Sequence, residues 1–210
     1  MKIYGHFLSP PANQVRLTAS ALGLDHDYIS IDLTKGEHKG DTYLAVTPFG
    51  RVPAMDDNGY KLAESGAICR YLACRAGSGL YPDEVKIRGQ IDQWMDFAAH
   101  HIRTNMSKIL FNKLFAPMIG MPVDEKSMAD GERFLNSNLP SVDAALAGRK
   151  FIVGDALSLA DIALIAAMEP FEMIGYDVSK FENIVAWRNR VTGEAFYTHV
   201  HERYGAEMAS

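Results

Sequence analysis

Thr47-Pro48-Phe49-Gly50-Arg51-Val52-Pro53-Ala54-Met55, then Asp57-Asn58-Gly59, then Tyr60-Lys61-Leu62-Ala63-Glu64-Ser65, is the stretch that decides the fold. Pro53 stands just before a short apolar run, where a proline cannot donate a ladder hydrogen bond. A proline there is a candidate for a cis peptide bond, which turns the backbone and presents the preceding residue's N–H and C=O to a ligand. Asn58-Gly59 between two short apolar runs is a two-residue hairpin signal. Glu64-Ser65 lies where the second strand gives way to Ala67-Ile68-Cys69-Arg70-Tyr71-Leu72, a run with helical spacing. A serine at a helix start sets a hydroxyl beside free N–H groups, which suits a carboxylate. One short segment therefore combines a peptide-like edge with an anion seat.

Toward the N-terminus, Lys2–Phe7 reads as a strand that Pro10-Pro11 cannot continue. Val15, Leu17, Ala19 and Leu22 follow with helical spacing, and Gly23 is a fitting stop. Asp27–Asp32 alternates as a second strand, and a short helix is expected around Lys39–Val46. With the hairpin and the run after Ser65, the order is βαβαββα, which is what a thioredoxin-like α/β unit over residues 1–76 requires.

Toward the C-terminus, Ala76-Gly77-Ser78-Gly79-Leu80-Tyr81-Pro82 marks a linker, taken as residues 77–83. Residues 84–210 show only helical spacing and are expected to form an all-α domain. Ile87, Ile91, Trp94, Met95, Ala98 and Ile102 keep one face of a long helix apolar, and a second long helix fits Glu125–Leu146. Ser158 with Asp161 three residues on has the form of a capping box before Ile162-Ala163-Leu164-Ile165-Ala166-Ala167-Met168. That run has almost no polar face, so its helix is expected to be central and Asp161 to be a buried structural carboxylate. Trp187 and Val191, then Phe196, Tyr197 and Val200, predict two final helices.

The composition bounds the function. With 210 residues and 48% apolar side chains, a sizeable core is expected. Lys plus Arg is 21 against 26 for Asp plus Glu, a net charge of −5, which argues against a nucleic-acid surface. No apolar run approaches membrane-spanning length and Met1–His6 has no signal-peptide apolar core, so a cytoplasmic protein is expected. Cys69 and Cys74, five apart on one predicted helix, point about 140° from each other and are read as small hydrophobes rather than a disulfide. His100-His101 are adjacent rather than four apart, a poor metal pair, and are read as core or interface residues with no metal expected. Phe111, Leu114, Phe115, Met118, Ile119 and Met121 form an apolar stripe, read first as core and second as the mouth of an apolar pocket.

Pro-Phe-Gly-Arg-Val-Pro-Ala at 48–54 followed by Glu64-Ser65 resembles the glutathione-binding segment of cytosolic glutathione transferases. Gly36-Glu37-His38-Lys39 is similar to the phi and theta classes, and Leu8-Ser9-Pro10-Pro11-Ala12-Asn13-Gln14-Val15 aligns without gaps onto their serine-bearing loop. Gly154-Asp155 with Ser158-Leu159-Ala160-Asp161 resembles the family's folding motif, so the likeness covers essentially the whole chain. Asn13 stands where an Arg is usual, and Arg51 where Gln or Lys is common.

The resemblance implies a glutathione transferase, with glutathione as co-substrate, no further cofactor, and an apolar electrophile as partner. Ser9 would be the catalytic donor to the substrate's own thiolate rather than a nucleophile. Val52 would pair its backbone with the cysteinyl unit, as in strand addition. Ser65 would meet the γ-glutamyl carboxylate and Glu64 the ammonium, while His38, Lys39 and Arg51 would hold the glycyl end. Pro53, Ser158 and Asp161 are structural. A homodimer is implied, with Asp92 or Asp96 reaching the partner's γ-glutamyl site. Two alternatives share the scaffold: a non-catalytic glutathione-binding protein, and peroxide reduction by bound glutathione. Protein-thiol redox chemistry is disfavoured, because the first cysteine is Cys69 rather than a residue of the first loop.

Overall fold

In a computed structural model, residues 1–208 are described, with side chains described through Glu202. The N-terminal elements are β1 (Lys2–Gly5), α1 (Pro10–Ala21), β2 (Asp27–Ser30), a 3-10 turn (Glu37–Lys39), α2 (Asp41–Leu44), β3 (Ala54–Asp57), β4 (Tyr60–Ala63) and α3 (Ser65–Arg75). The sheet order is β2-β1-β3-β4. β1 and β2 run parallel, joined through α1, and the other two pairs are antiparallel. This is the expected thioredoxin-like arrangement. Two boundaries differ: the first strand stops at Gly5, and the single helix expected over 39–46 is a 3-10 turn followed by α2. Gly40, extended at φ −77° and ψ 153°, separates them.

The hairpin is closed by Asn58 at φ 54° and Gly59 at φ 95°, both in the positive-φ region that a two-residue turn matching strand twist requires. The Asp56 carboxylate accepts the Gly59 N–H at 2.7 Å. Ile3, Ala12, Val15, Leu17, Met55, Ile68 and Leu72 form the core between sheet and helices.

The helical elements are α4 (Val85–Phe97), a π-helical stretch (Ala98–Arg103), α5 (Thr104–Leu110), a second π stretch (Phe111–Phe115), α6 (Ala116–Met118), α7 (Glu125–Leu146), α8 (Leu159–Met168), α9 (Pro170–Met173), α10 (Glu182–Thr192) and α11 (Ala195–Met208). Ile91, Met95, Ala98 and Ile102 are fully or nearly buried, whereas Ile87 is 40% exposed. α8 is buried along its whole length, as its composition predicts.

The capping box forms at the start of α8. Asp161 is fully buried and its carboxylate takes four donors. The Ser158 N–H (3.1 Å) and hydroxyl (3.0 Å) donate to Oδ2, and the Ile152 N–H and Trp187 Nε1 (both 2.9 Å) donate to Oδ1. Burial pushes the Asp161 carboxyl up, and these donors pull it part of the way back.

Two compact units result. One is Met1–Pro82 with the segment from Thr192 onward; the other is Asp83–Val191. The helical unit is thus shorter than the 84–210 stretch expected from sequence. α11 belongs with the α/β unit because it packs against α1.

Candidate functional site

The register of the sheet gathers four separate segments at one end. Tyr4 of β1 faces Ala54 of β3, Ala54 faces Ala63 of β4, and Gly5 faces Ser30 of β2. The loop with Ser9 leaves β1 at that end. Val52–Pro53 enters β3 there, Glu64–Ser65 leaves β4 there, and the chain toward His38 and Lys39 leaves β2 there.

Ser9 is the N-cap of α1, with φ −98° and ψ 105°, and its hydroxyl makes no bond to its own helix. Pro10 and Pro11 occupy the first helical positions and remove two of the amides a helix mouth would offer. The Ser9 hydroxyl is therefore the leading donor of this mouth. Its backbone is fixed on both sides: Ser9 N–H donates to the His6 carbonyl and Asn13 N–H to the Ser9 carbonyl, each at 2.9 Å. Asn13, buried, donates from Nδ2 to the Phe7 carbonyl at 2.9 Å. The residue that departs from the family pattern thus braces the loop that carries Ser9.

The Val52–Pro53 bond is cis and Pro53 is buried. Val52 is half-buried against Ile31, Tyr43 and Ala54. Glu64 has φ +69° and ψ 114°, a region sparsely populated by residues with a Cβ. A residue held there costs about 1–3 kcal/mol and persists only where its surroundings impose it. Its side chain makes no capping bond. Ser65 opens α3 and is 4% exposed. The first helical bond runs from the Ile68 N–H to the Glu64 carbonyl at 3.0 Å, so earlier amides point out of the helix mouth.

The segment leading to His38 and Lys39 is shaped by Asp32. Its carboxylate accepts the Thr34 hydroxyl (2.6 Å), the Thr34 N–H (2.9 Å) and the Lys35 N–H (3.1 Å), and pairs with Lys35 Nζ at 3.0 Å. These donors, the Thr34 hydroxyl first, hold the Asp32 carboxyl well below the usual carboxylate range. His38 is half-buried. Lys39 donates from Nζ to the Gly50 carbonyl at 2.9 Å, leaving two of its three protons for another acceptor. Gly50 is buried at φ +52°, and a Cβ there would sit 2.9 Å from the His38 carbonyl oxygen. The Arg51 side chain is exposed, while its carbonyl accepts the Tyr43 hydroxyl at 2.8 Å. Sequence reasoning passed over Tyr43: within Tyr43-Leu44-Ala45-Val46 it reads as one more apolar residue, and nothing local betrays its distant acceptor.

Three other expectations change. Of the two readings given for His100 and His101, core or interface, the core one fails: both are exposed, on the π stretch that follows α4. Cys74 is exposed, and only Cys69 behaves as a buried small hydrophobe. Phe111, Leu114, Met118, Ile119 and Met121 are 36–62% exposed rather than core, because no described element of the helical unit covers that face. Asp92 is half-buried and Asp96 exposed on α4. Among the described residues, no group of three or more His, Cys, Asp or Glu could hold a metal ion.

The family model "Glutathione S-transferase, N-terminal domain" matches residues 1–74, and its C-terminal counterpart matches 106–195. Glutathione S-transferase F9 of Arabidopsis thaliana is 40% identical over 167 residues, 78% of this chain and 77% of that protein. Glutathione S-transferase F10 of the same plant is 32% identical over 190 residues, 87% of each. The crystal structure of glutathione transferase F2 from Populus trichocarpa superposes with a TM-score of 0.90 at 28% identity, covering 98% of this chain and 99% of that one. A glutathione S-transferase-I bound with lactoylglutathione matches with a TM-score of 0.86 at 27% identity, over 95% and 97% of the two chains. Two matched domain models and relatives aligned over most of their length place this chain in the glutathione S-transferase family, among phi-class relatives.

Proposed function

We propose that the protein conjugates the thiolate of glutathione to an apolar electrophile, with Ser9 as the donor to the reacting sulfur. The single observation that carries this is the sheet register. It places an uncommitted hydroxyl, a peptide edge at Val52 and the mouth of α3 at one end of one sheet. The tripeptide lies with its cysteinyl backbone along Val52. Its γ-glutamyl carboxylate meets Ser65 and the α3 amides, where the helix dipole favours negative charge, and its ammonium meets Glu64. Its glycyl carboxylate meets His38, Arg51 and the remaining Lys39 protons.

A free thiol near pKa 8.5 is mostly protonated at neutral pH. A hydroxyl hydrogen bond to the thiolate, aided by the α1 dipole, lowers that pKa by about one to two units, or roughly 1.4–2.7 kcal/mol. The thiol proton leaves to solvent. The sulfur lone pair forms the new C–S bond, and the leaving group departs with its electron pair or an epoxide ring opens. No covalent enzyme intermediate arises, and catalysis rests on thiolate stabilisation and proximity.

The exposed apolar run at 111–121 supports an apolar second substrate. We further infer a cytoplasmic homodimer; no described helix is long and apolar enough to cross a membrane. Steady-state assays with an activated aryl halide and glutathione test the activity. Turnover is expected in wild type. Retention on immobilised glutathione without turnover of aryl halides or epoxides would favour the binding-protein alternative instead.

A further inference from the structure

Gly50 and Arg51 carry two consecutive carbonyls, and each is held by a side chain from a different element. Lys39 Nζ, from the 3-10 turn, reaches the Gly50 carbonyl at 2.9 Å. The Tyr43 hydroxyl, from α2, reaches the Arg51 carbonyl at 2.8 Å. Tyr43 itself cannot drift: it is 3% exposed, packed with Ile31 and Ala54, with the Tyr4 ring edge-on at 6.0 Å. Gly50 is pressed against the His38 carbonyl and the Lys39 side chain: an added Cβ would sit 2.9 Å from the His38 oxygen and 3.1 Å from Lys39 Nζ. The next residue after this doubly held pair is Val52, whose backbone is the peptide edge of the site.

We propose that the Tyr43 hydroxyl is a positioning residue for glutathione. It fixes the Arg51 carbonyl, and through it the Val52 backbone, in the orientation that pairs with the tripeptide. Tyr43 touches no reacting atom. It acts only through the Arg51–Val52 peptide, with the Lys39–Gly50 bond as the second point of the same clamp. The functional half of this inference rests on the glutathione reading above; the mechanical half does not.

The test is Tyr43→Phe, which keeps the buried ring and removes one donor. In the ligand-free protein, amide exchange at Arg51 and Val52 should quicken relative to wild type. In steady state, the KM for glutathione should rise about three- to tenfold, the worth of one neutral hydrogen bond, with kcat within about twofold and the KM for the aryl halide unchanged. Unchanged exchange at Arg51 and Val52 would overturn the clamp. Faster exchange with an unchanged glutathione KM, or a lower melting temperature with neither effect, would overturn the positioning role and leave a packing one. Faster exchange in a protein whose wild type neither binds nor turns over glutathione would sustain the clamp and defeat the transferase reading.

Discussion

Glu64 holds a positive φ that a side chain disfavours, and it does so where the proposed site needs a carboxylate and an open helix mouth. Strain kept at one residue is consistent with a functional demand there. Glu64→Gly and Glu64→Ala remove the same carboxylate, but only glycine relieves the backbone. Chemical denaturation should find Glu64→Gly more stable than Glu64→Ala by about 1 kcal/mol, while both raise the KM for glutathione. Equal stabilities would mean that the backbone at 64 is not strained. Gly50 is the converse case. Gly50→Ala adds a Cβ at positive φ against a backbone oxygen, which cannot move aside as a flexible side chain would. A loss of about 1–3 kcal/mol is expected, together with weaker glutathione binding by calorimetry. At this scale the candidate residues were legible, since Ser9, Val52, Glu64 and Ser65 each have a chemical reason to stand where they do. Tyr43 and the second role of Lys39 were not, because their acceptors lie 8 and 11 residues away across a turn whose path the sequence does not reveal.

Among the elements, α8 shows how one carboxylate organises a helix start. All four donors to Asp161 face acceptor-only oxygens, so Asp161→Asn must turn an NH2 group toward a buried N–H whichever way it is placed. Urea denaturation should show about 1–3 kcal/mol lost, and a neutral result would mean that the network relaxes without penalty. The close approach of α5 and α7 depends on Gly131, where an added Cβ would lie 2.7 Å from the Asn105 carbonyl oxygen. Gly131→Ala should cost about 1–3 kcal/mol, read by the same measurement. Elements with strong local signals were readable: the Asn58-Gly59 hairpin, α7 from Glu125 to Leu146, and the Ser158–Asp161 cap. The π stretches within 85–118 were not, since 3.6 and 4.4 residues per turn cannot be told apart over a single turn of apolar spacing. The run at 111–121 misled for a related reason. Apolarity marks a surface to be covered, but it does not say whether the same chain covers it.

Over the whole molecule, two units carry separate parts of the proposed chemistry. In the proposed function the α/β unit would supply the tripeptide seat, while the helical unit carries the exposed apolar run. Segregation of this kind predicts that glutathione alone stabilises the protein by mass action, about 2.7 kcal/mol at a hundredfold excess over its Kd, without any electrophile present. The most direct measurement of the central claim is a pH titration of thiolate absorbance for glutathione bound to wild type and to Ser9→Ala. The bound thiol should ionise about one to two pH units below free glutathione in wild type, and close to the free value in Ser9→Ala. Superimposable curves for the two proteins would contradict the assignment of Ser9 as the group that stabilises the sulfur anion.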